Sequence, residues 1–455
     1  MLVIKELSPV YSQIVEGSYI KLKPCLSFNY ETWEQGKYCK KRKVRKISLI
    51  SKGGVFLTGF LKRVEDYCIN NNVPFRIERR NYSFKSVRAP DVPNLQFKPF
   101  QLEAIKKAVA SCRGVIVSPT GSGKTIMAIG IVSCFPESRV LFLVHTLDLL
   151  NQTYKKFSQF GFDDISLIGG GKFDIDNRIV IATRQSFSKI IELKEDLEFD
   201  IVIVDEVHHV SSFKGQYADI LTAVTAPIRL GFTATLPQKE ESLMAIEGLL
   251  GKVIYQVDWE RAINSDIVVD VVVNLTKLPE DKLVRDLRSY REVYRKGVVE
   301  RKSRHRAVLQ RTLYHLEKGR TVLILITEIE HGYNLQKFAK EIYDLDIEFV
   351  HGATPGDTRA EIQRLLDSRE VKSVIASTIW NEGMDIPSLD VVVNASGGKS
   401  ELPTLQKIGR GVRKAEGKDR LILEDFFDPS HPYLIDHFGR RLSLYFEKGW
   451  MGVKV

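Results

Sequence analysis

From Leu95 onward the chain alternates short apolar runs with longer amphipathic stretches. Val115–Val117, Val140–Val144, Ile165–Ile168, Ile179–Ile181 and Ile201–Val204 carry almost no polar residue. A strand with one wet face alternates polar and apolar positions, whereas a run that is apolar throughout has both faces covered, as in a parallel sheet with helices on either side. A second series follows after about residue 259: Val268–Val273, Val322–Ile326, Ile347–Val350, Val374–Ile375, Val391–Val393 and Leu421–Leu423. The pattern therefore predicts two similar α/β domains in tandem, at 93–258 and 259–455.

Residues 1–92 have a different texture. Short alternating segments at Tyr19–Leu22, Val44–Ile50 and Phe75–Glu78 are expected as strands, and Val55–Ile69 as an amphipathic helix. Together they predict a small α+β domain. Arg88–Asn94 (RAPDVPN), with two prolines among polar neighbours, is expected to link it to the rest.

Composition narrows the class. At 455 residues the chain is long enough for two or three domains with sizeable cores. Cys25, Cys39, Cys68, Cys112 and Cys134 show no C-x-x-C or Cys/His ligand spacing, which points to neither a zinc site nor a disulfide framework and fits a reducing cytoplasm. No apolar run is long enough to span a bilayer, so no membrane association is expected. The net charge is +10, and residues 1–96 hold 18 Lys and Arg against 8 Asp and Glu, so the excess sits in the first fifth. A local positive field of this kind suits a polyanion such as DNA or RNA, with Lys40, Lys41, Arg42 and Lys43 of the run KKRKVRK as candidate contacts.

The candidate chemistry begins at Gly114–Thr125, GVIVSPTGSGKT. An apolar run ends in a Gly-rich turn, and Lys124 and Thr125 open a helical pattern. In such a loop (Pro119, Thr120, Gly121, Ser122, Gly123) the glycines let backbone N–H groups turn toward phosphate oxygens. Lys124 reaches the terminal phosphates, and the Thr125 hydroxyl faces Mg²⁺. Ser118 stands where the G-x-x-x-x-G-K-[ST] pattern has its first glycine. About 80 residues on, the run Ile201–Val204 ends in Asp205-Glu206-Val207-His208. A carboxylate at the end of a buried strand needs a cationic partner. In P-loop ATPases the Asp at this place holds Mg²⁺, and Glu206 would activate the attacking water.

With these two motifs the chain resembles the superfamily 2 helicases of the DExH type over roughly residues 95–428. The resemblance implies two tandem RecA-like parallel-sheet domains behind the basic α+β domain, with ATP and Mg²⁺ as cofactors. It also implies further roles. Gln101 in KPFQLEAI would read adenine. VHTLDLLNQ (144–152) and IATRQSF (181–187), with Thr183, would contact nucleic acid. Thr233-Ala234-Thr235 would couple hydrolysis to movement, together with His208 and Gln406. In STIWNEGMD (377–385), Thr378 would face nucleic acid, and Gly383 and Asp385 the nucleotide. In QKIGRGVR (406–413), Arg410 and Arg413 would be the arginine fingers.

DEVH, TAT and QKIGRGVR depart from the RNA-type DEAD-box forms. They instead resemble the group of phage branch-migration helicases of the UvsW type and the Rad25/XPB DNA helicases, as do 56–80 and Asp425-Phe426-Phe427-Asp428. The implied function is an ATP-dependent helicase or translocase acting on branched DNA in recombination, replication and repair, in the host cytoplasm if phage-encoded. An RNA helicase or RNA-stimulated ATPase, and a passive nucleic-acid-binding protein with a vestigial motor, remain alternatives. The segment 281–320, with 13 Lys and Arg against 5 Asp and Glu, is either a further DNA contact through Arg301, Lys302 and Arg304 or a solvated connecting helix.

Overall fold

The computed structural model describes residues 1–35, 40–84, 86–193, 197–257, 269–377, 386–398, 418–447 and 449–451. The chain forms two compact units, one of Met1–Ser118 with Gly123–Val257, the other of Pro119–Ser122 with Asp258–Val455.

At the start of the first unit, β1 (Leu2–Glu6), β2 (Tyr11–Glu16), β5 (Val55–Leu57) and β6 (Phe75–Glu78) form a sheet ordered β5-β2-β1-β6. A separate antiparallel ribbon pairs β3 (Ser27–Gln35) with β4 (Lys40–Ser48). Two expectations are corrected here. Tyr19–Leu22 is a 3-10 turn, started by the Ser18 side chain accepting the Ile20 N–H, and only Leu22 of it is buried. The helix expected from Val55 begins at Leu61: Val55–Leu57 pairs with Tyr11–Gln13 as an edge strand, and Thr58–Phe60 is a 3-10 turn. Gly59 sits at the break. A Cβ there would lie 2.1 Å from the Glu247 carbonyl oxygen, so only glycine fits where this turn meets the helix Glu240–Leu249.

That contact fixes the N-terminal sheet to its neighbour. Phe213 lies between Phe28 and Phe60, at ring-centroid distances of 6.0 and 6.5 Å. Arg63 pairs with Glu247, and Lys252 with Asp66.

The neighbour is a sheet of β7 (Arg113–Val117), β8 (Val140–Val144), β9 (Ile165–Gly169), β10 (Lys172–Phe173), β11 (Ile179–Thr183), β12 (Ile201–Val204), β13 (Ile228–Thr233) and β14 (Val253–Gln256). The order is β10-β9-β11-β8-β12-β13-β7-β14, parallel throughout except at β10. β8, β11, β12 and β13 are buried at every position, as the apolar runs of β8, β11 and β12 require. Arg229 on β13 is fully buried. Its guanidinium donates to the carbonyls of Leu249, Val224 and Leu221, tying the carboxyl ends of two covering helices to the sheet.

The second unit holds β15 (Asp270–Lys277), β16 (Val322–Leu325), β17 (Glu348–Val350), β18 (Ser373–Ala376), β19 (Val391–Asn394) and β20 (Arg420–Phe427), ordered β15-β20-β19-β16-β18-β17 and all parallel. Its interior carries charge. The Glu424 side chain, wholly buried on β20, accepts from Arg311, His315 and Asn274. Burial raises its pKa, but the hydrogen bonds from His315, Arg311 and Asn274 outweigh it and hold the group at about 2. Because the folded value lies below the unfolded value of about 4.3, the stabilisation is present above that pH and is lost as pH falls toward 2. Glu424→Gln should therefore lower the melting temperature at neutral pH and flatten the loss of stability between about pH 5 and 2. An acid-denaturation series on both proteins measures this, and parallel curves would refute it.

The basic segment after residue 281 is also structural in part. Arg301 and Arg304 are buried, Arg301 paired with Asp428 and Arg304 donating to the Ala395 carbonyl. They brace the second unit and cannot serve as DNA contacts, whereas Lys302 and Arg306 on the same helix are exposed. Trp450 is buried, while Trp259 and Trp380 lie outside the described residues.

Candidate functional site

The residues expected to carry chemistry in the first unit converge at the carboxyl ends of β7, β8, β11, β12 and β13, where open parallel sheets place their ligands. After β7 the loop Ser118–Gly123 turns into the helix Lys124–Cys134. Gly121 and Gly123 have φ of +86° and +82°, the left-handed region that points successive backbone N–H groups to one side. Gly123 has a second constraint, since a Cβ there would lie 2.6 Å from the Gln101 side-chain nitrogen. Gln101 is thus packed directly on the loop. It is buried, and its Oε1 accepts the Lys98 N–H at 3.0 Å. Ser118 is buried, and its N–H donates to the Thr233 carbonyl, a position where nothing calls for glycine.

Opposite the loop, β12 delivers Asp205 and Glu206. Asp205 is buried, its N–H bonded to the Leu143 carbonyl and its Oδ1 accepting the Glu206 N–H at 3.0 Å. Glu206 has φ +51° and ψ +57°, a strained conformation for a residue with a side chain, in which it starts the turn Val207–His209. Its carboxylate lies 3.9 Å from Lys124 Nζ. The pair is electrostatically split. Burial, then the neighbouring Glu206, raises the Asp205 pKa. Burial acts on Glu206 as well, but Lys124 and His208 overcome it and keep its carboxyl ionised.

His208 joins this pair to β13. Its Nδ1 is 3.3 Å from Glu206 Oε2 and 3.1 Å from Thr233 Oγ1. The Thr233 hydroxyl donates to the Thr235 carbonyl at 2.7 Å, so its oxygen is the acceptor toward His208, and Nδ1 is the nitrogen that carries the proton. The structure therefore brings Lys124, Glu206, His208, Thr233 and Thr235 into one connected set. Thr183 is buried at the end of β11 with its hydroxyl accepting the Ser186 N–H. It caps a helix, and the first turn of that helix exposes Gln185. Lys43 is exposed on the ribbon. The side chains of Lys40, Lys41 and Arg42, and Thr378, Gly383, Asp385, Gln406, Arg410 and Arg413, lie outside the described residues.

Among the described residues no group of three His, Cys, Asp or Glu side chains is placed to hold a metal by itself. Asp205 and the Thr125 hydroxyl supply hard oxygen donors beside a phosphate-type loop, which fits Mg²⁺ sharing its shell with phosphate and water. Sequence reasoning missed the strained backbone of Glu206 and the ring stack of His145 on His209, at 3.6 Å and 2°. The doubled histidine after Asp205-Glu206 was the available signal for the stack.

A phosphate loop, a strand-end carboxylate pair and two parallel α/β sheets in one chain define a P-loop protein with tandem RecA-like domains. Comparison with known proteins agrees. Residues 94–238 match the family described as Type III restriction enzyme, res subunit, and residues 304–415 match the helicase conserved C-terminal domain. The DNA 3'-5' translocase XPB2 of Sulfurisphaera tokodaii is 26% identical over 72% of this chain and 81% of its own. A Sulfolobus islandicus filamentous virus protein named "Putative helicase 22" is 24% identical over 91% of this chain and 79% of its own. The structure of the Type ISP restriction-modification enzyme LlaBIII bound to DNA superposes with a TM-score of 0.61 at 16% identity, over 85% of this chain and 32% of that one, which shows the shared fold. The chain belongs to the superfamily 2 helicases, in the XPB/Rad25-like group.

Proposed function

We propose that this protein is an ATP-dependent DNA helicase or translocase of the DExH type that remodels branched DNA, as the phage branch-migration helicases do, and that it works in the cytoplasm, with a viral relative supporting a phage or viral source. The observation that carries the reading is the set Lys124, Glu206, His208, Thr233 and Thr235. It connects a base beside the phosphate loop to the strand end that would transmit its state.

In this reading the N–H groups of 120–123 and Lys124 hold the phosphates, and Gln101 reads adenine. Thr125 and Asp205 hold Mg²⁺, which would neutralise phosphate charge and fix the phosphate geometry. Glu206 takes the proton from water as its oxygen bonds to the γ-phosphorus and the bond to the β–γ bridging oxygen breaks, releasing ADP and phosphate. Arg410 and Arg413 would stabilise the transferring phosphoryl group, with Gly383 and Asp385 against the nucleotide and Gln406 coupling. Thr378 and the turn begun by Thr183 would face one DNA strand. The domain limits 1–92, 93–258 and 259–455 follow from the same assignment.

The basic ribbon supports a branched substrate. Its strand β4 carries Lys40, Lys41, Arg42, Lys43, Arg45 and Lys46, and Phe28 at its base is fixed to the motor sheet through Phe213. A second phosphate contact beside the first suits two arms of one junction.

The test is steady-state ATP hydrolysis with single-stranded DNA, duplex, a synthetic fork, a four-way junction and RNA. Strongest stimulation by branched DNA is expected. A preference for RNA would overturn the substrate class, and equal stimulation by plain duplex would remove the branched preference. Reversing Lys43, Arg45 and Lys46 to Glu should weaken junction binding and reduce its salt slope by about 0.9 for each phosphate that is no longer neutralised. An unchanged slope would take the ribbon out of the interface.

A further inference from the structure

His145 lies in the segment 144–152 that would contact nucleic acid, His209 has no role assigned above, and their rings join that segment to the turn after Glu206. His145 directly follows β8, and His209 closes the turn that Glu206 begins after β12. β8 and β12 are paired neighbours in the sheet. The two imidazoles are parallel within 2° with centroids 3.6 Å apart, and His209 also touches His208 at 4.3 Å. Both rings are half-buried. Burial, then nearby cations and the other histidines, pushes His145 down to about 4 and His209 to about 3, so both are neutral at physiological pH and can stack face to face without charge repulsion.

Each ring sits on a segment with a different task. Thr146, beside His145, accepts the Leu149 N–H and starts the helix Leu147–Gln159, whose first residues Leu147 and Asp148 are exposed. This helix start lies next to the end of β11, where Thr183 and Arg184 begin another. On the other side, His209 shares a three-residue turn with His208, which touches both Glu206 and Thr233. Glu206 holds a left-handed conformation that depends on its surroundings, so a small shift of this turn re-aims its carboxylate.

We propose that the His145–His209 stack is the positioning link through which nucleic acid held at the carboxyl ends of β8 and β11 sets the orientation of Glu206, making hydrolysis depend on the bound strand. The inference rests on the motor reading above. Neither histidine touches a reacting atom; each acts through the turn that carries Glu206.

The experiment uses the full chain with His209→Ala, His209→Leu and His209→Phe, and the matching His145 variants. ATP hydrolysis is measured without nucleic acid and across a titration of single-stranded DNA and a synthetic fork, with a thermal melt of each variant. The DNA-stimulated kcat of the Ala and Leu variants should fall about tenfold, the size of an ordinary coupling between sites. In the His209 variants the unstimulated rate and the DNA concentration giving half-stimulation should stay within about twofold. Phe, which stacks, should restore most of the rate, whereas Leu, which only fills volume, should not. His145→Ala with His209→Ala should be no worse than either alone.

Wild-type stimulated rates in His209→Ala, equal rescue by Leu and Phe, or a loss confined to DNA affinity would each overturn the link. A wild-type enzyme indifferent to every nucleic acid would instead overturn the motor reading, and this inference with it.

Discussion

Glu206→Gln should lower nucleic-acid-stimulated ATP hydrolysis by about 10²- to 10⁴-fold, the range lost when a positioned general base is removed, with nucleotide binding nearly intact. The side chains are equal in size and the backbone demand at φ +51° is the same, so the change removes proton-accepting capacity and little else. Lys124 and His208 keep the carboxylate ionised in spite of burial, which is the state a base requires. Glutamine also cancels the attraction to Lys124, so nucleotide affinity should rise slightly if it moves at all. Single-turnover hydrolysis together with fluorescent-nucleotide binding separates the two quantities. A variant that hydrolyses ATP at the wild-type rate would assign the base elsewhere and remove the central claim about this site.

The largest expected change in stability lies in the second unit, at Arg441. Its guanidinium grips Asp425 through two bonds, Nε to Oδ2 at 2.8 Å and Nη2 to Oδ1 at 3.1 Å, and donates to the Gly398 carbonyl at 2.9 Å. Side-chain exposure is 2% for Arg441 and 0% for Asp425, so water cannot replace either partner. Tyr445 and Asn394 donate to the same carboxylate. Arg441→Met should cost about 3–5 kcal/mol, because it strands a buried carboxylate. Adding Asp425→Asn should recover much of that loss, since it removes the unpaired charge while keeping an acceptor for Tyr445 and Asn394. Urea titrations of the single and double variants measure both effects. A double variant as unstable as Arg441→Met would show that packing, not charge, is what the pair supplies.

This pair also explains a resemblance noted in the sequence. Asp425 and Asp428 read as a strand-end DxxD, and each binds a buried arginine, Arg441 for the first and Arg301 for the second. The motif clasps two helices to the end of β20. Arg301 and Arg304 looked like surface charge because a helix rich in Lys and Arg is usually solvated. What reversed that reading was the location of their acceptors, over 90 residues away at Ala395 and Asp428.

The motor sheets were legible because parallel strands buried on both faces leave uninterrupted apolar runs, and each run from Val115 to Leu423 fell on a strand. The N-terminal domain was less so. β1, β2 and β5 are only five, six and three residues long, too short for local periodicity to separate them from turns. The helix misplaced at Val55 shows the limit, since Val55–Leu57 pairs with Tyr11–Gln13 more than 40 residues away.

The sequence by itself determined where the Gly-rich loop and the strand-end carboxylate pair lie, and the family, because these depend on residue type at fixed local spacing. Gly121, Gly123, Lys124 and Thr125 lie within one turn of chain, and Asp205 and Glu206 at one strand end. Only the tertiary structure decided what these residues are connected to. The Glu206–His208–Thr233 contacts, the Arg229 cap, the His145–His209 stack and the Asp425–Arg441 clasp all join positions on different elements. Which side chains meet there depends on strand order and register, and a nearest-neighbour pattern along the chain does not encode either.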